Sequence, residues 1–190
     1  MKKIALLILY CFTACAFFQG NENVFLFWKP DVKLKWKDFQ GHIKSEDDKA
    51  ASASYLGFLH TIRKTNYPDS VIIDTRAYFN RNKSWVKVPD VSPPLLAHEQ
   101  VHFDLAELYG RKFRKALTAM TFNAANLSRR LDSTYVFYLE SSDSLHALYD
   151  IQTNHGLDKF YQETWTEFAK GNLLQMQSFD EALIKLYVPK

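Results

Sequence analysis

The chain has 190 residues, 47% hydrophobic and 24% charged, which suits one globular domain with a core of its own. Its formal charge of +3 drops to +1 without Lys2 and Lys3, so charge gives little reason to invoke nucleic acid. Both cysteines, Cys11 and Cys15, lie close to the N-terminus, so the rest of the chain has no disulfide and no thiolate, and any site must use His, Asp, Glu, Ser or Tyr.

Lys2 and Lys3 precede an apolar run from Ile4 to Phe12 that gives way to small residues, the pattern of a secretory signal over residues 1–20. The run is shorter than the ~20 residues of a membrane span. Two processing routes compete. Ala14-Cys15-Ala16 suits cleavage after Ala16, whereas Phe12-Thr13-Ala14-Cys15 is similar to a bacterial lipobox, which would leave Cys15 lipidated as the only membrane anchor. The expectation is an exported protein, periplasmic, secreted or anchored to the envelope, with one domain over residues 21–190.

After the leader, VFLFW (24–28) and KLKW (33–36) read as short strands, and DFQG (38–41) as a turn. KSEDDK (44–49) reads as a solvated loop. SASYLGFLHTIRK (52–64) is a further strand, closed by the turn residues of TNYPDS. VIIDTRAYF (71–79) and SWVKV (84–88) are expected to pair as a hairpin. Ser92-Pro93-Pro94 then starts a helix, with a capping hydroxyl followed by proline in the first turn. Helical patterning runs over 93–126, 131–153 and 158–174, with a short helix expected near 179–186. Strands first and helices after define an α+β fold: an antiparallel or mixed sheet, then a helical half.

His98-Glu99-Gln100-Val101-His102 is an HExxH motif on the first of these helices. Leu95, His98, His102, Leu105 and Tyr109 share one stripe, so both imidazoles face inward, where one Zn²⁺ can meet them. Glu99 lies beside them, and a buried carboxylate calls for a compensating charge. RKFRK (111–115) is expected to complement the helix dipole and face water.

Catalytic zinc usually takes three protein ligands and leaves one position to water. Glu107 is half a turn out of phase with His98 and points away. The third ligand is sought in SLHALYDIQTNHG (144–156). His155 is the first choice, since Gly156 looks like a left-handed helix terminus that would project it. Asp150 is the next, as a ligand or as a carboxylate that orients a ligand imidazole, with His146 or a glutamate behind it. Tyr149 or Tyr109 is the candidate donor to an oxyanion.

Several stretches in order carry a family resemblance: LKWKDFQG from Leu34, AASASY from Ala50, SWV from Ser84, LLAHEQVHFDLAELYGRKFRK from Leu95 and YDIQTNHG from Tyr149. Together they resemble an uncharacterised bacterial family of secreted HExxH proteins regarded as zinc-dependent proteases. Gly110 stands where that family is expected to have Ala. The resemblance implies a zincin-like fold and leaves the substrate and the third ligand open. The expected function is an exported zinc metallopeptidase, with zinc on His98, His102 and His155 and with Glu99 as general base on the attacking water. A peptide or protein is the expected partner. The alternatives are an amidase acting on cell-wall peptides and a non-enzymatic envelope protein with a structural zinc.

Overall fold

A computed structural model describes residues 23–43 and 50–190; the leader with Cys15 and the charged run 44–49 lie outside the described residues. The fold is α+β, as the order of elements implies. Its strands are β1 (Phe25–Phe27), β2 (Ser52–Ala53), β3 (Leu56–Lys64), β4 (Ser70–Asn80), β5 (Trp85–Val86) and β6 (Leu183–Tyr187). Its helices are α1 (Pro93–Thr118), α2 (Leu127–Thr153) and α3 (Lys159–Gln175). β4 is the spine of an antiparallel sheet, with β3 along one edge and β1 and β6 end to end along the other. β2 and β5 form a separate two-stranded ribbon.

Helix α1 starts where Ser92 Oγ accepts the Leu95 amide at 3.3 Å and prolines occupy the first turn. It is the central helix, buried on two sides. Phe103, Ala106, Phe113 and Leu117 pack with Phe58, Ala77, Phe79 and Leu186 of the sheet. On the other side, Val101, Leu105 and Leu108 pack with Tyr149 of α2 and with Trp165 and Ala169 of α3. A helix enclosed in this way buries polar groups along with apolar ones, and each must find a partner.

RKFRK departs from the expectation that it faces water. Arg111 and Arg114 are buried, because their spacing from Glu107 aims both guanidinium groups at its carboxylate, at 2.9 and 2.7 Å. Their other donors reach the carbonyls of Leu173, Phe179 and Thr75, tying α1 to the end of α3 and to β4. Of the two lysines, Lys115 is exposed and Lys112 half-buried.

Four strand and helix assignments also differ. KLKW is not a strand: the Leu34 amide donates to Gln100 Oε1 of α1, and a 3₁₀ turn follows at Trp36–Asp38. β5 does not return along β4, because the Gln40 and Gly41 amides take the Arg81 and Ser84 carbonyls and lead the chain out of the sheet. A Cβ on Gly41 would lie 2.8 Å from the Lys83 backbone, so this crossing needs glycine. The segment near 179–186 is a strand rather than a helix; Ile184 and Leu186 point inward and Leu183, Lys185 and Tyr187 outward, a period of two. Helix α1 stops at Thr118, short of residue 126, and Asn123 and Asn126 cross-bond each other's amides before α2.

His60 of β3 lies between Phe113 and Tyr135, at ring distances of 5.4 and 4.6 Å, and its Nδ1 has no partner. Burial lowers its pKa from 6.5 to about 4 against the pull of Asp132. The unfolded chain therefore holds more protons between these values, and stability should fall as pH drops through that window. The loss is on the order of 2–3 kcal/mol by pH 4. His60→Leu should bring urea midpoints at pH 7 and pH 4.5 closer together; an unchanged gap contradicts this assignment.

Candidate metal centre

His98 and His102 stand one turn apart on α1, with their Nε2 atoms 3.3 Å from each other and their rings edge to face. Asp150 comes from α2, and its Oδ1 lies 3.1 Å from His98 Nε2 and 2.9 Å from His102 Nε2. These three residues form a group able to hold a metal ion. Donors on a tetrahedral cation with bonds of about 2.0–2.1 Å stand about 3.3 Å apart, close to the separations here. The two imidazoles are enclosed, whereas 31% of the Asp150 side chain is exposed, so the site opens on the α2 side.

The far side of each imidazole has a defined partner. His98 Nδ1 is 3.2 Å from Gln162 Oε1, a carbonyl oxygen that only accepts, so the proton belongs on Nδ1 and the Nε2 lone pair faces Asp150. His102 Nδ1 is 2.9 Å from His146 Nδ1. Burial first, and His102 second, push the His146 pKa down to about 3, so that ring is neutral and can accept the His102 proton. Two Nε2 lone pairs and a carboxylate oxygen then converge with nothing donating between them. Such a cluster of acceptors repels itself unless a cation or proton sits in its centre, and a dication fits that need.

Tyr149 is the floor of the site. Its ring stacks on His98 at 4.6 Å and meets His102 edge-on at 4.7 Å. Its buried hydroxyl lies 2.8 Å from Gln162 Oε1 and 3.2 Å from the His98 carbonyl, so the proton expected to serve an oxyanion is directed at these groups instead. Burial raises this phenol far above its ordinary pKa. Tyr109 packs in the sheet-side core.

His155 does not join the group. Its side chain is 76% exposed, with Nδ1 3.8 Å from Asp150 Oδ1. Asn154, His155 and Gly156 all take positive φ as α2 ends. Gly156 lets this turn lie against the first ligand: a Cβ there would sit 2.9 Å from His98 Cβ. The glycine that seemed to project His155 therefore packs the turn on His98.

Glu99 is buried, and its two oxygens accept separate hydrogen bonds, Oε1 from Ser52 Oγ and Oε2 from Ser54 Oγ. The sequence alone does not single out these serines or Gln162. The signal for the pair was present, since residues two apart on a strand face one side. Gln162 carried none, being one amide on a helix surface.

The fold and site thus define an α+β protein whose HExxH helix shares a three-donor cluster with a second helix. Residues 74–156 match a family described as "Bacterial protein of unknown function (DUF922)", a stretch that contains His98, Glu99, His102, Asp150 and His155. No curated protein and no solved structure gives a significant match.

Asp150→Ala is expected to weaken binding of a divalent metal by more than the ~10–100-fold cost of losing an outer partner, and His155→Ala by less. Calorimetric titration of both purified variants checks this. Equal losses, or the reverse order, would return the third position to His155.

Proposed function

We propose that this chain is an exported zinc-dependent hydrolase of peptide bonds, with zinc held by His98, His102 and Asp150. The observation that carries the reading is the convergence of His98 Nε2, His102 Nε2 and Asp150 Oδ1, with a buried Glu99 next to His98 in the chain. Two imidazoles and one carboxylate suit Zn²⁺, and among the described residues the group has three members, whereas structural zinc sites are normally closed by four. This favours a reactive site over a structural one.

When bound, zinc would supply Lewis acidity, polarising a carbonyl and making water easier to deprotonate. The protein's own share of the work begins with Glu99. Its carboxylate takes the proton given up by the attacking water and passes it to the leaving amine. Gln162 and His146 keep the ligand imidazoles in the tautomer that offers Nε2. Tyr149 holds both rings in place from beneath. The exposed side of Asp150 is where substrate would enter.

The choice of a peptide substrate rests on the resemblance of the HEQVHFDLAE stretch and its companions to secreted HExxH proteases. An amide in a cell-wall peptide would meet the same groups. The leader would carry the chain out of the cytoplasm, and lipidation at Cys15 would tether it to the envelope.

Glu99→Gln is the direct test of the reaction. The amide still offers an oxygen to one serine and can donate to the other, so fold and zinc content should persist. Turnover of a quenched-fluorescent peptide mixture should fall by at least about 10²–10⁴-fold, the usual contribution of a general base. Equal rates in variant and parent would refute the mechanism.

A further inference from the structure

We infer that Ser52 and Ser54 form a two-hydroxyl clamp that positions Glu99, making the short strand β2 part of the reaction machinery. The inference rests on the reading of Glu99 as the base. Three observations carry it.

First, the contacts are one to one. Ser52 Oγ donates to Oε1 and Ser54 Oγ to Oε2, so the carboxylate is fixed in rotation and in tilt. A carboxylate offers about four acceptor sites, and the clamp uses two, which leaves each oxygen with a lone pair for an incoming proton. The serines therefore orient Glu99 without consuming its capacity as a base.

Second, the ribbon that carries the serines is pinned from elsewhere. Ser52 belongs to β2 and Ser54 to the two-residue link from β2 to β3, and both hydroxyls reach Glu99. Ser52 pairs with Val86 and Ala53 with Trp85. The Lys87 amide reaches the Ala51 carbonyl, and the Tyr55 amide reaches the fully buried Ser84 Oγ, which itself donates to the Asn80 carbonyl at the end of β4. Rigid backbone on both sides of the clamp sets where the hydroxyls stand. A site is more precise when its supporting residues are themselves fixed.

Third, Glu99 belongs with the metal ligands. It adjoins His98 and is i,i+3 to His102, and both of those rings pack on Tyr149. Misplacement of a reacting group by about 1 Å can cost on the order of 10²-fold in rate, so removing the clamp should be felt in turnover. It should not be felt at the metal, because the serine hydroxyls bond Glu99 and not His98, His102 or Asp150.

The test compares the parent, Ser52→Ala/Ser54→Ala, Ser52→Thr/Ser54→Thr and Glu99→Gln, each as the mature chain. Infrared spectra of the metal-free proteins isolate the Glu99 carboxylate stretch as the band missing from Glu99→Gln. Loss of two donors should move that band in the alanine pair, and threonine should restore it, since it keeps the hydroxyl. With zinc and the quenched-fluorescent peptide mixture, the alanine pair should lose about 10–100-fold in kcat at nearly constant KM and unchanged zinc affinity, with threonine recovering most of it. An unmoved carboxylate band, or full kcat in the alanine pair while Glu99→Gln is inactive, overturns the clamp alone. Full activity in Glu99→Gln overturns the general-base reading instead, and the infrared comparison still decides the contacts.

Discussion

Everything in this fold follows from burying a polar helix on two sides. Helix α1 lies between the sheet and the α2–α3 pair, and it carries His98, Glu99, Glu107, Arg111 and Arg114 inside. A buried polar group without a partner costs a few kcal/mol, so each one must recruit a donor or acceptor from another element. Glu99 recruits β2, His98 recruits α2 and α3, and His102 recruits α2. Arg114 recruits β4 and the segment after α3. The polar residues of α1 thus act as fasteners for the whole domain, and the apolar cores on either side supply the driving force.

That division separates two charge clusters on one helix. Toward its C-terminal end, Glu107 is satisfied by two guanidinium groups, which in turn spend donors on backbone carbonyls; it is a closed, structural arrangement. Toward the N-terminal end, two imidazoles and a carboxylate meet with their lone pairs turned inward and their protons turned outward. The first cluster contains its own cations. The second asks for one from solution, and the proposed chemistry is placed there for that reason.

Much of this was legible in the sequence. Ser92-Pro93-Pro94 announced the helix, HExxH announced two of the three members of the metal-binding group, and the order of strands and helices announced the α+β class. Asp150 was visible as a candidate because it falls within one stretch of helix facing the motif. What sequence did not rank was Asp150 above His155. Spacing places both near the helix end, but in the fold three residues of positive φ turn His155 outward while Gly156 closes on His98. The β5 pairing was hidden for a similar reason, since a short intervening segment suggests a hairpin and only the Gly41 crossing diverts it. The strand at Leu183–Tyr187 was readable from its alternation. The buried arginines were readable from their spacing to Glu107, although a cationic run at a helix end more often faces water.

The account stands or falls on which atoms meet the metal. X-ray absorption at the zinc edge of the reconstituted mature chain, one zinc per molecule, measures this without knowing the substrate. The account predicts two imidazole nitrogens, with the remaining first-shell scatterers being oxygen, and loss of one oxygen scatterer's signature in Asp150→Ala. A spectrum with three imidazoles, or one unchanged by Asp150→Ala, would contradict it.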